Sequence, residues 1–375
     1  MDYREMNIYS SKLIEMVENP PERIHTISHT DLDGYGCESL FKQAFMEKTH
    51  TWDRSNPGKP LIESLEKALE LFESADLDLL VVTDLNLTQE AYDLLSNSGH
   101  LDKVIWIDHH QTQVDWDNMW WEENSCILSS YEGEPICATS LVWGVLRYVD
   151  IENIDIFFEI GDLVSEMIRM YDTYEFKKDP VNNISFAGLG LNSKIYHSAQ
   201  LLNTVYHLGG DVGRNFIDLI YATYEINKPP RSMNDLIIYG LNNIHDGIYK
   251  SLVINVLKQD ADYVEKKLEK SFERSATING HEYKFRAVFA EKLMNDVGHE
   301  LMAIYPELDF VAIIGDNAIS LRTERDDIDL SIIAKAFNPL GGGHKKAAGA
   351  GITPELRQIM VDTTITKALE LAATE

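Results

Sequence analysis

Three short runs that read as buried strands, each followed by an aspartate or a histidine, constrain the fold of this chain more than any other feature of its sequence. The runs cover residues 23–28, 79–82 and 104–107, and helix-like stretches follow at 37–47, 89–96 and 139–148. Such alternation is typical of a mostly parallel sheet covered by helices, which binds ligands at the carboxyl ends of its strands. The sequence therefore predicts an α/β fold with a site at that edge.

The rest of the chain divides into a helical middle and a second α/β region. Residues 201–243 show helical patterns interrupted at Pro229 and Pro230, and apolar runs alternate again from Ser251, beginning with 252–257. A chain of 375 residues is long enough for two or three domains. We expect a parallel-sheet domain over 1–195, a helical linker over 196–248 and a smaller α/β domain over 249–375.

The charge of the chain limits its partners. Asp and Glu number 61 against 33 Lys and Arg, for a formal net charge of −28. Affinity for long nucleic acids comes mainly from cationic side chains that neutralise phosphates, so a protein that coats long duplexes is disfavoured. A small anionic substrate held through bound cations is compatible with this charge.

Cysteines and apolar segments indicate the compartment. Three cysteines without a CxxC spacing support neither a disulfide framework nor a thiolate zinc site. The apolar runs are too short to span a bilayer, and the first residues do not resemble an export signal. We expect a cytoplasmic protein that does not bind membranes.

The residues that end the apolar runs are of metal-binding types. They are His29, Asp31 and Asp33 after the first run, Asp84 after the second, and Asp108, His109 and His110 after the third. Each group taken alone is also explained by helix caps or a solvated turn. Together they place carboxylates and imidazoles at one edge of the predicted sheet, which indicates a metal site. Asp172 offers a further carboxylate, with a surface helix residue as the alternative.

The ligand types predict the kind of metal centre. Carboxylates and imidazoles without sulfur favour magnesium, manganese or iron over structural zinc, and six candidates are too many for one tetrahedral ion. Two cations about 3.5 to 4 Å apart are a recurrent device for hydrolysing phosphate esters. The sequence therefore predicts a two-metal hydrolase.

A glycine-rich, cationic segment near the carboxyl terminus is the second unusual feature. It reads GGGHKKAAG at 341–349. Glycines let a ligand approach backbone N–H groups, which suits an anion, while the alternative is a plain closing loop with solvated lysines. Arg322 and Arg325 lie upstream and either bind phosphate or pair with the acidic residues beside them.

These segments, in this order, resemble the DHH phosphoesterase superfamily with its DHH-associated C-terminal domain. The segments are SHTDLDG at 28–34, VTD at 82–84, DHH at 108–110 and the glycine-rich segment at 341–349. Within the superfamily, YDTYE at 171–175 and ISLR at 319–322 are similar to bacterial oligoribonucleases of the nanoRNase B type. The resemblance implies a catalytic DHH domain joined by the helical linker to a substrate-binding domain, with the active site in the cleft between them.

The resemblance also implies roles for individual residues. Two manganese ions, with Mg²⁺ or Co²⁺ as alternatives, would be held by His29, Asp31, Asp33, Asp84, His109 and Asp172. Asp33 and Asp84 would touch both ions, and Asp84, His109 and His110 would be catalytic. The substrate would be bound by His110 at the scissile phosphate and, farther along, by Arg322, Gly341, Gly342, Gly343 and His344.

The expected activity is hydrolysis of short single-stranded RNA to nucleoside 5′-monophosphates by a metal-bridging hydroxide. A homodimer is left open. Relatives in the superfamily act on adenosine 3′,5′-bisphosphate, on cyclic dinucleotides or, like RecJ, on single-stranded DNA, and these activities are the alternatives. A nucleotide-binding protein without catalytic activity is the alternative from another class. We expect the cleft between the domains to favour short substrates.

Overall fold

The computed structural model divides the chain into two compact units, Met1–Ile254 and Asn255–Glu375. The residues it describes are 6–110, 114, 123–148, 154–185, 195–208, 213, 215–223, 232–243, 247–278, 280–339, 341–343, 345–359 and 362. The three-part division expected from the sequence stays a prediction.

The first unit is built on a five-stranded parallel sheet. Its strands are β1 (Arg23–His29), β2 (Thr49–Ser55), β3 (Leu79–Thr83), β4 (Val104–Asp108) and β5 (Ser125–Ile127). Their order is β2-β1-β3-β4-β5, and every neighbouring pair is parallel. Strands β3 and β4 are buried along their whole length, as expected for a sheet covered on both faces. The predicted parallel sheet is confirmed.

Helices and two short antiparallel pairs complete this unit. The helices are α1 (Ser11–Glu18), α2 (Leu32–Ala44), α3 (Lys59–Glu73), α4 (Gln89–Ser98), α5 (Ala138–Leu146), α6 (Ile154–Asp172), α7 (Ser198–His207), α8 (Phe216–Thr223) and α9 (Met233–Asn243), and α10 (Gly247–Glu269) runs past the division. The pairs are β6 (Ser130–Tyr131) with β7 (Glu134–Pro135), and β8 (Asn183–Ser185) with β9 (Ile195–His197). Short 3₁₀ turns cover Leu101–Lys103 and Glu175–Lys178.

Two hydrophobic cores lie on the two faces of the parallel sheet. Successive side chains of a strand point to opposite faces, so Leu79 and Val81 pack toward α1, α2 and α5, whereas Leu80 and Val82 pack toward α3 and α4. Helices α7 and α9 pack on α6, and α8 packs on α2. The cores fix β1, β3 and β4 side by side, so their carboxyl ends form one edge.

Two strands lack the apolar run by which the sequence predicts the others, and one predicted run has a different structure. Strand β2 (THTWDRS) is largely polar because it lies at the sheet edge, and β5 has only three residues. The run 252–257, expected to begin a second alternation, lies inside helix α10 instead. Val253 and Leu257 are buried four residues apart, which is the spacing of one helix face.

The second unit contains a six-stranded mixed sheet. Its strands are β10 (Phe272–Ile278), β11 (His281–Phe289), β12 (Phe310–Ile314), β13 (Ala318–Arg322), β14 (Gly342–Gly343) and β15 (Ala347–Gly351), in the order β10-β11-β12-β13-β15-β14. Only β11 and β12 pair in parallel among these described strands. Helices α11 (Met294–Ile304) and α12 (Leu330–Phe337) pack on separate cores. None of the helices described in either unit has the length and apolar character that crossing a membrane requires.

Candidate active site

The junction of β1 and α2 carries three of the predicted ligands. Strand β1 ends at His29, Asp31 is the N-cap of α2, and Asp33 lies in the first turn of that helix. Only His29 belongs to the strand, because the helix begins at once after Asp31. The alternative explanation of Asp31 as a helix cap is correct, since it accepts a hydrogen bond from the Gly34 N–H at 3.1 Å. Asp31 Oδ2 nevertheless lies 2.9 Å from His29 Nδ1.

Glycines allow this helix to begin so close to the strand. A Cβ on Gly34 would lie 2.3 Å from the backbone oxygen of His29. A Cβ on Gly36 would lie 2.4 Å from both Ile168 Cδ1 and Thr139 Oγ1. Glycine is therefore required at both positions for α2 to pack on β1, α5 and α6, and this packing places Asp31 and Asp33.

Asp84 occupies the centre of the site, directly after β3. Its side chain is buried, and its backbone φ of 56° lies in the left-handed region that residues other than glycine rarely adopt. Asp84 Oδ2 lies 3.6 Å from His29 Nδ1, and Oδ1 lies 3.4 Å from His109 Nε2. Each carboxylate oxygen therefore faces a different histidine. Backbone strain of this kind is concentrated at functional sites.

His109 joins two further carboxylates to Asp84. Its Nε2 lies 3.7 Å from Asp33 Oδ2 and 3.7 Å from Asp172 Oδ2, at the end of α6. The other ring nitrogen, Nδ1, lies 3.1 Å from the Ile136 carbonyl oxygen. A proton on Nδ1 that is donated to this carbonyl leaves Nε2 able to bind a metal.

Asp33 has a second set of partners at the start of α5. Its Oδ2 and Oδ1 accept hydrogen bonds from the N–H groups of Ala138 and Thr139, both at 2.8 Å. The Thr139 hydroxyl donates to the backbone oxygen of Asp33 at 2.7 Å. Asp33 thus belongs to the first turn of α2, and its carboxylate caps the start of α5.

His110 and Asp108 form a pair beside this cluster. His110 Nδ1 lies 2.8 Å from Asp108 Oδ1, so Asp108 orients the imidazole, and 36% of the His110 side chain is exposed. From the sequence, Asp108 is one of the strand-end carboxylates, and a role in orienting a histidine is not predicted. The signal that could have revealed the role is its position two residues before a histidine at the end of a buried strand.

Burial and crowded carboxylates shift the protonation equilibria of the site. Burial, together with the charges of Asp33 and Asp31, raises the pKa of Asp84 well above its ordinary value. Desolvation raises the pKa of Asp172 to about 7 against the opposing charge of His109, although 30% of that side chain is exposed. Burial alone would lower the pKa of His29, but Asp31 and Asp84 raise it to about 10. The cluster therefore favours added positive charge.

The donor set fits divalent cations. Three groups have ligand atoms within 4.8 Å of one another: His29, Asp31 and Asp84; Asp33, His109 and Asp172; and Asp84, Asp108, His109 and His110. Two buried carboxylate oxygens, Asp84 Oδ2 and Asp108 Oδ2, have no hydrogen-bond partner among the described residues. Burying such oxygens is costly unless a partner compensates, and a hard cation would do so. The six predicted ligands lie together, and their role as ligands stays a prediction.

The residues predicted to bind the rest of the nucleotide belong to the second unit. Arg322 ends β13 and donates hydrogen bonds to the Leu321 carbonyl and to Asn295. Arg325 pairs with Asp309 and Asp327, which matches the alternative interpretation of this arginine. His344 lies outside the described residues.

The three glycines of the cationic segment are constrained to different degrees. A Cβ on Gly341 would lie 2.5 Å from the Ala334 backbone oxygen. Gly343 has a φ of 132°, and a Cβ there would lie 2.6 Å from the Ala347 backbone oxygen. A Cβ on Gly342 would meet nothing within 4 Å. Packing therefore accounts for Gly341 and Gly343 but not for Gly342.

Comparisons with known proteins agree with this architecture. No family model matches the chain. The chain is similar to oligoribonuclease NrnB of Bacillus subtilis (strain 168), with 29% identity over 345 residues that cover 90% of this chain and 75% of the relative. The DHH domain of a member of a family of ribosomal proteins shares the fold, with a TM-score of 0.57, 16% identity and coverage of 95% of this chain and 88% of that domain.

Exonuclease RecJ has the same fold. In its crystal structure bound to manganese, the TM-score is 0.52, with 14% identity and coverage of 92% of this chain and 89% of RecJ. The DHH sequence stands at 108–110 of this chain, at the end of the fourth strand of the shared fold. This chain is therefore similar in sequence to oligoribonuclease NrnB and shares its fold with a DHH domain and with exonuclease RecJ.

Proposed function

We propose that this protein is a manganese-dependent phosphodiesterase that hydrolyses short oligoribonucleotides to nucleoside 5′-monophosphates. The observation that carries the proposal is the meeting of four carboxylates and two histidines, distant in sequence, at the carboxyl edge of one sheet. A relative named as an oligoribonuclease, similar over 90% of this chain, supports the substrate class. RecJ, bound to manganese in its crystal structure, supports the choice of metal.

The contacts suggest how two cations would be held. His29, Asp31 and one oxygen of Asp84 would hold one cation. Asp33, His109, Asp172 and the other oxygen of Asp84 would hold the second. A bound pair supplies an activated water and stabilises negative charge on the phosphate. The contacts support Asp84 as a bridging ligand, whereas those of Asp33 connect it with His109 and the start of α5.

The protein's own groups would position the substrate. His110, oriented by Asp108 and accessible to solvent, would donate a hydrogen bond to the scissile phosphate. Arg322, Gly342 and the other residues of the cationic segment would bind the remainder of the nucleotide. Oriented donors of this kind cost no reorganisation during the reaction and are therefore effective in catalysis.

A substrate panel tests the proposal. Purified protein with Mn²⁺ is given oligoribonucleotides from a dimer to about 24 nucleotides, single-stranded DNA, adenosine 3′,5′-bisphosphate and a cyclic dinucleotide. We expect nucleoside 5′-monophosphates and the highest rates on the shortest RNA, because a net charge of −28 repels long polyanions. Equal rates on the longest and shortest strands would favour a RecJ-like exonuclease. Turnover of the bisphosphate alone would favour the phosphatase.

Gly342→Ala separates a binding role of the cationic segment from a structural one. The added methyl group enters open space, so we expect the melting temperature to stay within about 2 °C. If the bare backbone contacts phosphate, the methyl group should keep the phosphate away from the backbone N–H, and KM for a dinucleotide should rise about tenfold because a charge-assisted hydrogen bond is lost. Gly341→Ala, which clashes with Ala334, is the structural comparison. An unchanged KM in Gly342→Ala would remove this glycine from the substrate site.

A further inference from the structure

Arg54 lies at the end of β2. The neighbouring strand, β1, leads into residues 29–31, which we call the ligand loop because His29 and Asp31 are predicted metal ligands. We infer that Arg54, with Thr30 and Asn56, binds a phosphate of the oligonucleotide other than the scissile one. The inference rests on the proposed function and deepens it, because it makes a second phosphate a determinant of substrate choice.

The register of the β1–β2 pair places Arg54 beside the ligand loop. Arg54 is opposite Ser28 and Ser55 is opposite His29 in the parallel β1–β2 pair. Neighbouring strands are about 4.8 Å apart, so the ends of β1 and β2 form one continuous surface. The Thr30 hydroxyl, between two predicted ligands in sequence, donates to Asn56 Oδ1 at 3.0 Å. Thr30 and Asn56 are both exposed and polar.

The side chain of Arg54 is held by one edge only. Its Nε donates to Oε2 of the buried Glu38 at 2.7 Å, and its guanidinium carbon lies 5.4 Å from the centre of the Tyr35 ring. The Tyr35 ring stacks on Tyr206 at 5.2 Å, and the Tyr206 hydroxyl donates to the Thr30 carbonyl at 2.7 Å. These contacts connect the arginine to the ligand loop and limit its motion.

The other edge of the guanidinium is available for a ligand. Within the described part of the chain, neither Nη atom of Arg54 has a hydrogen-bond partner, and 27% of the side chain is exposed. An oriented guanidinium whose two Nη atoms have no described partner can donate to two oxygens of a phosphate. The ion pair with Glu38 explains the position of Nε but leaves both Nη atoms without a role.

Arg23 is a matched control at the other end of the neighbouring strand. It begins β1, at the amino edge of the sheet, and like Arg54 it pairs with a carboxylate, here that of Asp78. Its Nε and Nη2 both donate to the Asp78 carboxylate, at 2.9 and 2.7 Å. Arg23→Met therefore removes an arginine–carboxylate pair of the same sheet without touching the metal-binding edge.

The test compares dinucleotides with and without a second phosphate. With Mn²⁺ present, kcat/KM is measured for ApA, pApA and ApAp with the wild type, Arg54→Met, Arg54→Lys and Arg23→Met. We expect Arg54→Met to lose about 10- to 100-fold on pApA or ApAp, and less than about 3-fold on ApA, because only the former offer a phosphate beyond the scissile one. Arg23→Met should match the wild type. Arg54→Lys keeps a cation beside Glu38 and should lose less, which guards against an effect of unfolding.

Two results would overturn the inference. An equal loss on all three dinucleotides would mean that Arg54 acts at the scissile phosphate or only supports the fold. An unchanged kcat/KM on all three would leave it as a partner of Glu38 alone. If the wild type cleaves none of them, the proposed function fails instead. In that case, the role of Arg54 is tested by binding: fluorescence anisotropy of 3′-labelled pApA is measured with the wild type, Arg54→Met and Arg23→Met. Weaker binding by Arg54→Met alone supports the phosphate subsite. Equal binding by all three proteins excludes it.

Discussion

Asp84→Asn is expected to abolish manganese-dependent hydrolysis while making the metal-free protein more stable. The carboxylate is buried, each of its oxygens faces a different histidine, and its pKa is raised well above the ordinary value. A raised pKa in the folded state means that the ionised carboxylate opposes folding at neutral pH, so the neutral amide should raise the melting temperature by a few degrees. Loss of a bridging ligand should reduce kcat by about 10³-fold or more.

Three measurements check this result. Steady-state kinetics gives the loss of kcat, calorimetric titration with Mn²⁺ should fall from about two equivalents to fewer, and the thermal shift produced by Mn²⁺ should shrink. The exposed Asp93 of α4 provides the control, since Asp93→Asn removes one negative charge outside the predicted ligand set and should leave all three quantities unchanged. Near-normal turnover in Asp84→Asn would mean that the site is assigned wrongly.

Gly34→Ala is expected to damage both stability and activity. Its methyl group would lie 2.3 Å from the backbone oxygen of His29, and backbone atoms cannot rotate away as a side chain can. Overpacking of this kind costs about 1 to 3 kcal/mol and displaces α2 from β1. Because Asp31 and Asp33 belong to the start of α2, their displacement should reduce kcat by about 10²-fold even below the melting temperature.

Thermal denaturation and kinetics at a low temperature measure the two effects separately. Gly342→Ala is the control for stability, because the same methyl group meets no atom within 4 Å there. Full activity in Gly34→Ala with an unchanged melting temperature would contradict the close packing of α2 on β1.

Much of the proposed catalytic edge was predictable because β3 and β4 are apolar runs, β1 carries two buried isoleucines, and an aspartate or a histidine stands at or directly after the end of each strand. Convergence of His29, Asp84 and His109 then follows from parallel pairing alone. Asp172 was visible in the sequence as a further carboxylate, but its role as a ligand came from the resemblance, since nothing in the periodicity of α6 marks its last residue as part of a site.

Other features depend on contacts that no local pattern reveals. Strand β2 is polar because it lies at the edge of the sheet, so its sequence lacks the apolar run by which the other strands were found. Missing β2 also meant missing Arg54, whose position opposite Ser28 is a matter of register. The three glycines at 341–343 are equivalent in the sequence. The structure distinguishes them, because Gly341 packs against Ala334 and Gly343 against Ala347, whereas Gly342 faces open space.

Asp33 contacts both the proposed metal site and the start of a helix, so it would link metal binding to the folding of the first unit. The same carboxylate that faces His109 also terminates α5 through the amides of Ala138 and Thr139, a hundred residues farther along the chain. A substitution of Asp33 that altered the proposed metal centre would therefore also leave the first turn of α5 without its acceptor. Variants at this position should lose stability as well as activity.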